Sequence, residues 1–351
     1  MKEDTKYPAA ESGYNEAIDL LKGFLVLSMI LAHCIQFFGE EEKGLQKFIV
    51  DYVNLTTFSG FLFAYGFVCY SAYFTKNFKD VRRKMLQNAG RTLAAFYLSS
   101  IAYLALAENK VFKTEILRDV ITIRVFGGWS EFLVSFTGIM LLAMLLFPLY
   151  KKLNIIGLAV IAAICLMTCF VPYEKITVPW LALFLGSRHY VTFPVIQYSV
   201  YFAAGVIACK YGKKYHRYLL AGSVAFSLPT IIYIFRMSQM PERFPPSLLY
   251  ITGGSFFLYT YYQLFSMFCE NAYKIRILSV VKKYLKQTGS NSLFYLLMSN
   301  VFIFGFKGSA FHYKGIRYAL IFYLVLLLVI HYLTLLISKN RRLPNNYSLI
   351  D

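Results

Sequence analysis

The stretch AIDLLKGFLVLSMILAHC, residues 17–34, carries three ionisable residues in a run otherwise built for lipid. Asp19 and Lys22 stand near its start, and His33 near its end, with ten residues between Lys22 and His33. A helix rises ~1.5 Å per residue, so the lysine and the histidine lie ~16 Å apart along the axis, near opposite ends of a single span. An ionisable group at membrane depth costs ~2.5–3.5 kcal/mol on insertion scales, which makes each of the three a functional candidate. The bland alternative for Asp19 and Lys22 is an i, i+3 ion pair with a snorkelling lysine. For His33 it is a hydrogen-bonded core residue.

The rest of the chain has the same character. Of 351 residues, 58% are apolar and only 15% charged, with 33 Phe and 29 Tyr. Soluble domains lie nearer ~45–50% apolar and ~25% charged. The excess is gathered into runs close to the ~20 residues that cross ~30 Å of hydrocarbon. The expected fold is therefore all-α and polytopic, with about ten transmembrane helices at 18–38, 52–75, 89–107, 129–149, 154–171, 191–209, 218–235, 247–268, 289–306 and 316–337. These form one transmembrane domain, 18–337, between a tail at 1–17 and a basic tail at 338–351. The apolar segment 177–186 is too short to span and reads as an external loop or a re-entrant piece. The first run lacks a small-x-small cleavage site and follows Glu11 and Glu16, so it reads as a permanent helix and not as a cleaved leader.

A formal charge of +18 invites a nucleic-acid reading, but in such a chain the distribution decides. Lysine and arginine concentrate in segments 76–88, 210–217, 269–288 and the C-terminal tail, all on one side of a ten-span arrangement. The positive-inside rule then puts both termini in the cytoplasm and makes membrane lipid, not nucleic acid, the partner. The six cysteines lie within or at the ends of apolar runs; Cys165 and Cys169 are i, i+4 but no His or carboxylate joins them, so no metal site is expected. His189, His216 and His312 fall in loops and read as solvated, whereas His331 reads as a packed polar residue.

Four segments resemble the acyltransferase-3 family of membrane acyltransferases. The first is the Lys22-x10-His33 spacing in an opening helix that also carries Asp19 and Gly23; the second is the basic VRRKMLQNAGR, with Arg82, Arg83 and Arg91. The third is ERFPPSLLYI (242–251), and the fourth is GSNSLFYLL (289–297). One position departs: many relatives place a histidine three residues after the late tyrosine, whereas here Tyr295 is followed by Met298, so that role is absent or shifted to Asn300.

The resemblance implies transfer of an acyl group, commonly acetyl, from cytoplasmic acyl-CoA to a hydroxyl of an extracytoplasmic or lipid-linked glycan. It implies a multi-pass protein of the cell membrane, as in a bacterial plasma membrane. No permanently bound cofactor is expected; acyl-CoA (acetyl-CoA) is the donor substrate. His33 becomes the general base, a task suited to imidazole, with Glu131 as a candidate orienting partner at similar depth. Lys22, Arg82, Arg83 and Arg91 would hold the donor's phosphates, with ordinary positive-inside signal as the alternative for the arginines. Arg243 and Arg236 would flank the outer mouth and contact an acidic glycan or the developing oxyanion, and Trp129 would stack on a sugar or sit in the interfacial belt. Two other functions remain compatible with this sequence: a transporter or flippase for glycan or lipid-linked sugar, and a non-catalytic subunit of an exopolysaccharide export complex.

Overall fold

The computed structural model describes residues 15–39, 44–108, 110, 114–271, 275–309 and 314–340. Most of the N-terminal tail, the tail beyond Asn340, part of the acidic 39–51 segment and His312 lie outside the described residues. In chain order the helices are α1 (Glu16–Phe38), α2 (Gly44–Cys69), α3 (Phe78–Ala102), α4 (Thr114–Ile121), α5 (Glu131–Leu145), α6 (Phe147–Lys152), α7 (Ile155–Thr168) and α8 (Pro179–Leu185). They continue with α9 (Val195–Tyr211), α10 (His216–Met237), α11 (Leu248–Gly253), α12 (Ser255–Asn271), α13 (Arg276–Ser290), α14 (Ser292–Gly308) and α15 (Ile316–Asn340). Every extended regular element among the described residues is helical.

Each of the ten expected spans coincides with helix, but the helices differ in reach. Five among the described residues are long and apolar enough to cross a bilayer alone: α1, α2 with the π turn that follows it, α3 with its own π turn, α10 and α15. A sixth would be α13 with α14, which bend by 81° at Asn291. α5 and α7 are apolar but shorter, and the 247–268 span is interrupted between α11 and α12. The chain is thus a helical membrane protein with at least five candidate spans of full length.

Helix α1 lies at the centre. Asn15 caps it, its side chain accepting from the backbone N–H of Ala17 and Ile18, and Ile18, Leu20, Leu21, Leu25, Val26 and Ile30 are buried around its whole circumference. A helix buried all round belongs to the middle of a bundle. It packs on α2, α12, α13, α14 and α15.

Two crossings bring backbones together. At α1–α13, a Cβ on Gly23 would collide with the carbonyl of Leu285, and one on Gly289 with the carbonyl of Asp19. At α2–α9, Gly66 and Gly205 face the carbonyls of Phe202 and Phe63 in the same reciprocal way. Small residues permit close approach where, in lipid, packing takes the place of the hydrophobic drive.

Two segments read as loops are helical. The basic 76–88 segment belongs mostly to α3, which begins at Phe78, and most of 269–288 is α13. α13 lies across the start of α1: Lys282 and Lys286 pair with Glu16 at 2.8 and 3.0 Å, and the Ser290 hydroxyl donates to Asp19 at 3.1 Å. Its four basic residues masked an amphipathic helix. His216 also departs from expectation, since it opens α10 half-buried with Nδ1 2.9 Å from the Tyr259 hydroxyl.

Candidate active site

Five separate stretches converge on a cavity of about 210 Å³. α1 brings His33 and Gln36, α2 brings Asn54 and Thr57, and the approach to α5 brings Trp129 and Glu131. The turn before α9 adds Phe193, and the link between α10 and α11 adds Arg243 and Phe244.

His33 is buried, and its Nδ1 has no hydrogen bond that meets ordinary geometry among the described residues. Trp129 meets it edge-on at 5.0 Å between ring centroids and packs against Phe37 at 4.6 Å. Trp129 holds φ = 70°, a conformation that bulky residues rarely adopt and that surrounding contacts must enforce. Asn300 of α14 reaches His33 from behind; it is fully buried, donates to Ser99 Oγ at 2.9 Å, and leaves its Oδ1 unpartnered.

Glu131 begins α5, where its carboxylate faces the backbone N–H groups of Trp129, Ser130 and its own residue. That is a carboxylate at a helix N-terminus, favoured by the helix dipole. It shares the cavity with His33 without a hydrogen bond between the two. Arg243 is close enough to act electrostatically on both. Its guanidinium lies over the rings of Phe244 (4.7 Å) and Phe193 (5.4 Å), and its Nε is buried without a partner. The segment that carries it is tied down. Arg188 donates to Glu242 and Glu174 at 2.8 Å each, the Ser247 N–H donates to the Glu242 carbonyl, and Tyr173 donates to the Pro246 carbonyl.

A second cavity, about 220 Å³, lies further toward the start of α1 and is lined by Lys22, Tyr65, Thr92 and Ser292 among others. Lys22 pairs with Asp19 at 2.6 Å, so the ion pair exists, and the lysine also faces this cavity. The Tyr65 hydroxyl is buried and unpartnered, whereas Thr92 shares a 2.8 Å hydrogen bond with Thr137. Arg82 and Arg83 stand exposed near the start of α3 and Arg91 exposed at its middle, directly preceding Thr92. Arg236 is exposed in the last turn of α10 and does not line the His33 cavity.

A larger cavity of about 270 Å³ between α7, α9, α10 and α12 is chemically quieter. Tyr201, Ser223 and Thr252 there spend their hydroxyls on backbone carbonyls. The Cys165 thiol does the same, donating to the Ile196 carbonyl.

The bundle encloses histidine, aromatic and arginine groups around one cavity of a helical membrane protein. The chain belongs to the acyltransferase-3 family: the family's acyltransferase domain matches residues 15–339, nearly its whole length. It is a membrane acyltransferase. No curated protein and no solved structure matches it significantly.

Proposed function

We propose that the protein transfers an acyl group, acetyl in the first instance, from acyl-CoA on the cytoplasmic side to a hydroxyl of an extracytoplasmic or lipid-linked glycan, in a cell membrane. The observation that carries this reading is that His33 and Arg243 line one cavity, in a member of an acyltransferase family. An imidazole there can take the proton of an acceptor hydroxyl while the guanidinium faces the charge that develops.

In the reaction, the acceptor oxygen attacks the thioester carbon as His33 takes its proton. The new C–O bond forms, the C–S bond breaks with its electron pair going to sulfur, and the proton passes from His33 to the leaving thiolate. Asn300 and Trp129 hold the imidazole in place. Arg243, half-buried against the rings of Phe193 and Phe244, faces the charge that develops on the carbonyl oxygen or an acidic group of the glycan. Lys22 lines the route by which the thioester arrives, and the exposed Arg82, Arg83 and Arg91 offer charge to the donor's phosphates.

The test is His33→Ala, with the acyl content of surface glycans read by mass spectrometry. The variant is expected to insert and fold while glycan acylation is lost. Full acylation in the variant would remove His33 from catalysis, and lost glycan export with acylation intact would favour a transporter.

A further inference from the structure

The two cavities meet at three side chains. Met29, Phe61 and Phe132 line both. Met29 stands four residues, one helical turn or ~6 Å, before His33, and seven residues after Lys22. A group travelling along α1 from Lys22 to His33 passes between these three. Their freedom to yield is unequal. Met29 and Phe132 are equally buried, but Phe132 sits among the rings of Phe58, Phe136 and Phe193, with centroids at 6.3–6.4 Å. Met29 is unbranched and adaptable. The inner cavity is lined by Tyr65, whose hydroxyl no group among the described residues accepts.

We propose that Met29, Phe61 and Phe132 form a sieve that admits a short acyl group to His33 and holds back longer chains, while the amide-bearing arm of the donor fills the inner cavity and accepts a hydrogen bond from Tyr65. This rests on the acyl-transfer reading. The sieve leaves the chemistry unchanged: the thioester carbon exchanges its bond to sulfur for one to the acceptor oxygen, and the proton travels through His33 to the thiolate. It acts on which thioester carbons arrive. Longer chains must either displace a ring locked by three others or fill the roughly 210 Å³ that the acceptor also needs.

The experiment uses envelope vesicles that contain the full-length protein and the native acceptor, given radiolabelled acetyl-CoA or octanoyl-CoA. Wild type should incorporate acetyl label in clear preference to octanoyl. Phe61→Ala and Met29→Ala should raise the octanoyl-to-acetyl ratio by about tenfold or more, the scale on which apolar pockets discriminate chain length. Phe61→Leu, a milder change checked for a monodisperse folded protein by gel filtration, should move the ratio in the same direction. An unchanged ratio in folded Phe61→Leu and Met29→Ala, with wild type active, overturns the sieve alone. Equal use of both donors by wild type overturns it too. No label from either donor in wild type overturns the acyl-transfer reading and the sieve with it.

Discussion

Arg243 lies against the faces of Phe193 and Phe244 with its Nε unpartnered, so its planar fork is held ready and not consumed. A lysine would keep the charge but lose both the stacking and the paired donors. Arg243→Ala is expected to lower the rate of acyl incorporation about 100-fold, the scale of losing one preorganised oxyanion donor. Arg243→Lys should recover little of it; recovery to near wild-type rate would show that a point charge suffices. Residue types made His33, Trp129, Glu131 and Arg243 conspicuous in an apolar chain, and the family resemblance singled out His33 and Arg243 among them. What they do to one another was not readable. Trp129 looked like an interfacial anchor, yet its positive φ turns it onto His33. Asn300 reaches His33 from 267 positions along the chain (300 minus 33), and the Tyr65 hydroxyl is one of 29 tyrosines, most of which look alike in sequence. The motif already favoured Arg243 over Arg236; the structure separates them further, since Arg236 ends a helix in the open and Arg243 sits in a tied-down link.

At the scale of elements, the crossing of α1 and α13 joins two sequence features that seemed unrelated, Gly23 after the DLLK run and Gly289 before the SNSLFY run. Each stands where a Cβ would meet the other helix's backbone. Backbone cannot swing aside as a flexible side chain can, so Gly289→Ala should force the helices apart. Overpacking of this kind costs about 1–3 kcal/mol. A lowered melting temperature in detergent, with Ala at open Gly90 as a neutral control, would show it. α13 itself was hidden because the positive-inside pattern assigns its lysines to a loop, whereas Lys282 and Lys286 are spent on Glu16. The link carrying Arg243 has its own pH dependence. Glu174 is held below the ordinary carboxylate range by its own backbone N–H and by Arg188. A depressed folded pKa stabilises above the unfolded value, near 4.5, and that contribution is lost as pH falls through the folded one. Amide protection in 172–192, with exchange corrected for its intrinsic slowing in acid, should therefore fall as pH drops through the carboxylate range in wild type. In Arg188→Ala that protection should already be low at neutral pH. Equal exchange in both proteins at neutral pH would dissociate the clamp from the loop's order.

For the whole molecule, composition was enough to give a helical membrane protein, because apolar excess in long runs has few other outcomes. The number of crossings is harder to read, since hydropathy does not distinguish a straight span from one broken at Asn291 or between α11 and α12. Sidedness is harder still, since it depends on an even or odd count of such pieces. α9 offers a direct test because it is short, unbroken and flanked by unlike ends. Before it lies Arg188, bound to Glu174 and Glu242; its last turn carries Lys210, whose ammonium caps the Lys151 and Leu153 carbonyls, and the basic turn at 212–217 follows. With both termini cytoplasmic, Arg188 faces outward and Lys214 inward. A membrane-impermeant maleimide should then label Arg188→Cys in intact cells and Lys214→Cys only after lysis. The six native cysteines, buried or half-buried in the bundle, set a low background against the unsubstituted parent. The reverse pattern would invert the protein, placing His33 on the cytoplasmic side and Lys22 outside. A CoA thioester would then reach His33 without passing Met29, Phe61 and Phe132, and the direction of acyl transfer would have to be reversed along with it. Labelling of both sites from the same side would instead mean that α9 does not cross, and the count of spans would fall by one.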